Sequence, residues 1–529
     1  MYFNHKGFRG TNGETIRMKP ATLCYFALAA FALVAVPTGC TRLKSQATQT
    51  APATSPFRFT LAAAPSGRFA YGTKGRLLII VAPDAGQTDL RDRLDDVEAA
   101  RTGAVFGMDA TLSNSWVTIT TGEKNVKAFP ANVSLSPGTY RMQAVFAHNP
   151  DLRGADAPGN LYSDVQTVPL PAEKSVSLML NGQEPPDETV PQGTASVRYV
   201  KLKSERLSKF HKRDIFLRAG VVLPPNFDAN AAKPYPMCVT IGGFHTRYTV
   251  AKRLSPHPDI VQVMLDGDGV NGDSYSTNSA VSGDYGDATV YELLPEIEKR
   301  FGCGGAASRR FTTGGSTGGW VSLALQVYYP DTFGGCWSGF PDSLDFRAYQ
   351  NINLYRDANA YKNADGTERV SARDAVTGQT KWTVREECQL ENVRGVGGSY
   401  VSSGGQWGAW NAVYGTPDKS GRPVLFWNPV TGDISRTAAD AAGKRYDLRR
   451  YCADNWKTLA PKLDSKIHVW VGERDEYFLN CGVHYFDDFL KTATPRIKYR
   501  AEYSPTAGHG WNPRPQSAVL DEMIAASNR

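Results

Sequence analysis

One short segment, Gly314-Gly315-Ser316-Thr317-Gly318-Gly319, constrains the fold more than any other part of the chain. Arg309–Thr313 before it reads as a strand, and Trp320–Leu325 after it opens as a helix. A strand, a turn flanked only by small residues and a helix in succession place a serine on a sharp corner with its hydroxyl lifted clear. The pattern predicts Ser316 as a nucleophile; the alternative is a plain glycine-rich loop. A serine hydroxyl attacks poorly at neutral pH, so a base must stand close to it.

The chain has eight histidines. His509, in Pro505-Thr506-Ala507-Gly508-His509-Gly510, falls between the last expected strand and the last expected helix, whereas His468 lies within a strand and His484 in a helical segment. An acid that orients the imidazole should lie between serine and histidine in the sequence. Asp475, just past the strand Ile467–Val471, is the expected acid; Glu473 and Asp342 are its rivals. The order Ser316, Asp475, His509 is that of the α/β-hydrolases. A tetrahedral intermediate needs N–H donors. These are expected from the backbone of Thr317 and from Phe244, with Gly243 second, in the loop after Val239–Ile241. His245 and Trp320 are the residues expected against substrate, although His245 also reads as an ordinary loop residue. Such chemistry requires no cofactor.

Around this centre, strand-like and helical runs alternate from residue 191 to 529, as in a mostly parallel sheet covered by helices on both faces. Residues 345–460 interrupt the alternation, with little apolar periodicity but four tryptophans, Trp382, Trp407, Trp410 and Trp427. An insertion of that length is expected as a cap over the site, its aromatics either lining a cleft or packing the cap onto the core. Residues 69–190 show period-two alternation with Gly/Pro turns, predicting a small all-β sandwich that packs or presents. Residues 41–68, rich in Ala, Thr, Ser, Gln and Pro, read as a flexible tether.

The first forty residues read as an export signal. Met18-Lys19 is a plausible start, followed by an apolar run from Ala21 to Val36 and then Gly39-Cys40. Gly39-Cys40 resembles a bacterial lipobox, in which Cys40 would be acylated and tether the protein to a membrane. The expected location is thus periplasmic or outer-membrane-anchored, with simple secretion as the alternative. The net charge of +7 is spread without a dense basic run, which argues against a nucleic-acid partner. Six cysteines lie beyond the signal. Cys238 and Cys336 sit in apolar runs as expected free thiols, and any disulfide is expected among Cys303, Cys388, Cys452 and Cys481. Gly267-Asp268-Gly269-Val270-Asn271-Gly272 matches a dinucleotide-binding pattern, but no helix follows it, so the loop 266–285 reads instead as a border of the substrate cleft.

The sequence resembles the esterase-like α/β-hydrolase family that includes esterase D, enterochelin esterase and the mycolyltransferases. It is most similar to large secreted bacterial esterases with an N-terminal β-domain. The carrying segments are Ala219–Pro224, Gly243-Phe244, Gly286-Asp287-Ala288, Gly315–Trp320, Tyr329–Gly335, Asn455–Leu459 and Gly472–Asp475. The resemblance implies hydrolysis of a small-molecule or polymer ester through an acyl-enzyme on Ser316, with Asp475 and His509 in the remaining triad positions. Acyl transfer or peptide cleavage on the same scaffold, or a non-catalytic surface-binding role, are the alternatives.

Overall fold

In a computed structural model, residues 57–63, 72–113, 117–133, 135–170, 175–186 and 189–528 are described. The export signal, Met18, Cys40 and the expected tether apart from residues 57–63 lie outside them. Eight strands form the main sheet: β1 (Val197–Lys203), β2 (Phe216–Val222), β3 (Met237–Ile241), β4 (Val261–Leu265), β5 (Arg310–Gly315), β6 (Gly335–Gly339), β7 (Ile467–Gly472) and β8 (Arg500–Ser504). Their spatial order is β1-β2-β4-β3-β5-β6-β7-β8. β2 pairs antiparallel with both β1 and β4, and every later pairing is parallel. Parallel strands buried on both faces read as continuous apolar runs; β3 and β4 are buried at all five positions each. Helices α1 (Leu294–Phe301), α2 (Thr317–Tyr328), α3 (Val384–Arg394), α4 (Gln406–Tyr414), α5 (Leu448–Leu463), α6 (Leu479–Thr492) and α7 (Gln516–Ser527) accompany the sheet or its cap.

The strands expected from the sequence recur within a few residues of their expected ends, and β1 is an addition. The insertion between β6 and β7 is less irregular than its sequence suggests. It holds a hairpin, Val370–Arg373 with Thr380–Thr383, then α3, α4, the helix Arg436–Tyr446 and most of α5. Thr383 caps α3 through a reciprocal capping box with Glu386. Trp407, Trp410 and Trp427 are each 1% exposed and Trp382 is 5% exposed, so these aromatics pack the cap instead of opening a cleft.

Residues before β1 form two sheets, one of three strands and one of seven, with a core that includes Phe59, Leu77, Ile79, Phe106, Phe146 and Leu178 between them. The sandwich begins earlier than residue 69: Arg58–Ala63 pairs with Val117–Thr120 and with Ser175–Leu180. Phe59 and Leu61 alternate inward, and that alternation overrides the Ala/Thr-rich texture that suggested a tether. The outer face of the larger sheet carries Leu78, Ile80, Val105 and Val145, which share a core with Trp382, Leu390 and Val393 of the cap. Arg76 seals this contact, donating from Nε to the Val393 carbonyl at 2.9 Å. None of the six described cysteines is paired; five are buried and Cys481 is exposed, so Cys303, Cys388, Cys452 and Cys481, where any disulfide was expected, form none.

Candidate active site

β5 ends at Gly315 and α2 begins at Thr317, leaving Ser316 alone on the corner with φ 60° and ψ −123°. A residue with a side chain rarely adopts such a backbone, and its neighbours must hold it there. They do so by close approach. A Cβ on Gly318 would stand 2.2 Å from the Ile241 carbonyl, and one on Gly319 2.3 Å from the Gly339 carbonyl. The Ser316 N–H donates to Gly339 O at 3.1 Å. The glycines of the motif therefore let α2 start wedged between the ends of β3 and β6.

Asp475 and His509 meet as the sequence predicts. His509 Nδ1 lies 2.8 Å from Asp475 Oδ2, and Asp475 is fully buried. Backbone N–H groups of Tyr477 and Leu479 donate to the other carboxylate oxygen at 2.9 and 3.2 Å. The His509 N–H donates to Glu476. The imidazole sits edge-on between Phe340 and Tyr477, with ring centroids 4.8 and 4.9 Å away. Phe340 also lies against Gly315, so a single phenyl ring spans from the corner to the base. Burial acts to lower the His509 pKa, but the charge and hydrogen bond of Asp475 outweigh it and the net shift is upward. In this structure the Ser316 hydroxyl donates to Asp342 Oδ1 at 3.4 Å. Glu473, the other rival acid, pairs with His484 at 2.9 Å, away from the triad.

The loop after β3 runs beside the corner, because Gly318 touches both Ile241 and Gly242 carbonyls. Space is open around Gly243, where an added Cβ would meet nothing within 4 Å. Two expectations for substrate contact need correction. Trp320 is fully buried in α2 against Tyr275 and Tyr414, and so belongs to the core. His245 spends both ring nitrogens within the protein: Nδ1 lies 2.6 Å from Asp268 Oδ1 and Nε2 2.6 Å from Gly404 O. Both partners are acceptors, an arrangement that favours a proton on each nitrogen. Burial opposes this charge, but Asp268 prevails and the His245 pKa is raised. His245 thus fastens the post-β3 loop to the cap.

Sequence reasoning did not single out Tyr275 or Gln406, and read Trp410 only as one of the cap tryptophans. The Tyr275 hydroxyl donates to Asp342 Oδ2 at 2.7 Å and receives a bond from Gln406 Nε2 at 2.6 Å and another from Trp410 Nε1. The loop 266–285 therefore does border the site, as its sequence suggested. No group of three or more His, Cys, Asp or Glu side chains among the described residues could hold a metal ion.

The strand order, the strained corner after β5, and acid and base on the loops after β7 and β8 together define the α/β-hydrolase fold. No family model matches the chain, and no curated protein matches it. Among solved structures, it is similar to a ferulic acid esterase at 15% identity, covering 64% of this chain and 99% of that one, with a TM-score of 0.37. A fluorophosphonate-binding serine hydrolase of Staphylococcus aureus gives 14% identity, 64% and 100% coverage and a TM-score of 0.38. An S-formylglutathione hydrolase from Agrobacterium tumefaciens gives 13%, 64%, 98% and 0.35.

Proposed function

We propose that the protein is a serine esterase that cleaves carboxylic esters through an acyl-enzyme on Ser316. The observation that carries this reading is the buried Asp475–His509 pair, linked through the Phe340 ring to the strained strand-to-helix corner that holds Ser316. Ser316 attacks the carbonyl carbon while His509 takes the hydroxyl proton. The proton passes to the leaving alcohol, water attacks the acyl-enzyme with His509 again as base, and Asp475 stabilises the imidazolium in both halves. The N–H groups of Thr317 and Phe244, with Gly243 as the alternative to Phe244, receive the oxyanion. The Ser316 hydroxyl must first turn from Asp342 to His509; such bonds commonly tighten only when substrate is bound.

Export by the first forty residues, with a lipid on Cys40 or release after cleavage, is part of the same proposal. Mass analysis of the mature N-terminus tests it: a diacylglyceryl Cys40 supports anchoring, and an N-terminus before Cys40 rejects it. For the chemistry, the native protein should be labelled by a fluorophosphonate probe and should hydrolyse short p-nitrophenyl esters. Ser316→Ala should lose both while melting at the same temperature. Retained hydrolysis by Ser316→Ala would reject the reading.

A further inference from the structure

Asp342 follows β6 and is 3% exposed. Its N–H donates to the Ser316 carbonyl at 3.1 Å, so its backbone is fixed to the corner itself. The two carboxylate oxygens are served unequally. Oδ2 accepts from Tyr275 at 2.7 Å and from Thr317 Oγ1 at 2.9 Å. Among the described residues the hydrogen bond to Oδ1 comes from the Ser316 hydroxyl, at the long distance of 3.4 Å, while the Trp410 indole also favours the charged carboxylate. Catalysis takes that donor away, because the hydroxyl has to face His509 before it can attack. A buried acceptor stripped of its donor carries its full desolvation penalty. Burial already pushes the Asp342 carboxyl upward in pKa.

We propose that Asp342 Oδ1 is a specificity-determining contact: a hydroxyl or ammonium group of the substrate donates to it as Ser316 turns to His509. This rests on the esterase reading above. The position of the donor follows from bonding. The scissile carbonyl carbon becomes joined to Oγ, so a group that can reach an oxygen adjacent to Oγ has to lie close to that carbon. The α-carbon of the acyl group meets this condition, whereas a donor on the alcohol side is at least one bond further away. The substrate class is therefore esters of α-hydroxy or α-amino acids. Tyr275, Thr317, Gln406 and Trp410 brace the carboxylate from the other side, so it cannot swing away to find water.

Three methyl esters of nearly equal size test this: propanoate, lactate and alaninate, followed by acid release at constant pH. The native protein should favour lactate, alaninate or both over propanoate by about tenfold or more in kcat/KM, since a site built around a buried polar group discriminates against the analogue that leaves it unpaired. Preference for both identifies any donor; preference for alaninate alone identifies the ammonium. Asp342→Asn should shrink the preference, for alaninate most of all. Equal rates for all three esters, an undiminished preference in Asp342→Asn, or no turnover of either donor-bearing ester by a protein that the fluorophosphonate labels would overturn the inference. Absence of labelling would instead reject the esterase reading. If Asp342→Asn does not fold, the native ratios decide after division by the ratios for hydroxide-catalysed hydrolysis, because α-hydroxyl and α-ammonium groups withdraw electrons and speed any attack on the carbonyl.

Discussion

At the scale of single residues, the Asp475–His509 pair sets the pH response. In the proposed mechanism the neutral imidazole is the base, and Asp475 outweighs burial to raise its pKa. Hydrolysis should therefore rise with pH through an ionisation above the ordinary imidazole value of about 6.5. In Asp475→Asn burial is opposed only by the charges of Asp342 and Glu476, so the ionisation should move downward. The rate should fall by on the order of 10⁴, the size of loss seen when such an acid is replaced by its amide. A pH profile of kcat/KM for the two proteins checks both statements; an unmoved ionisation would mean that another group titrates. The Ser316 corner and the Asp475–His509 contact were legible from sequence because their signals are local: glycines around a serine, and a carboxylate and an imidazole just past apolar strands. His245 and Trp320 were misread for the opposite reason. Whether a ring is free for substrate depends on partners far along the chain, Gly404 for one and Tyr414 for the other.

Among elements, the start of α2 has no room for an added side chain. Gly318→Ala would drive a methyl group into the Ile241 carbonyl at 2.2 Å. It should cost about 1–3 kcal/mol, the usual range for overpacking, measured by chemical denaturation. The His245 clip gives a second prediction. A raised imidazole pKa means that its contribution to stability is complete below the ordinary imidazole value and disappears as pH rises through the raised one. Asp268, Asp273 and Asp95 are the acidic groups that favour its charge. The segment around Gly404 should exchange amide hydrogens faster in that alkaline range, and His245→Gln should exchange fast throughout. The helices of the cap were not legible because they are buried on more than one side. In α3, Val384 and Cys388 face the catalytic core while Leu390 and Val393 face the sandwich. Its Glu391 is also buried, accepting from the N–H groups of Trp407 and Gly408 at the start of α4. Two apolar faces and an inward carboxylate erase the single stripe on which periodicity depends.

Across the whole molecule, the sandwich and the cap share one core, and that core reaches the catalytic base. Trp382 packs under the sandwich face and lies 6.5 Å from Tyr477, which in turn walls His509. Val393→Asp, which would bury an unpaired charge between sandwich and cap, should lower the melting temperature and reduce hydrolysis together. Loss of stability with full activity at low temperature would show that the sandwich does not bear on the site. The joint surface also has a consequence for the order of synthesis. The sandwich strands leave the ribosome long before α3 does, so Leu78, Ile80 and Val145 wait bare until the cap arrives to cover them. The nascent chain thus carries a sticky sheet face until α3 is made, the kind of exposure that holdase chaperones bind.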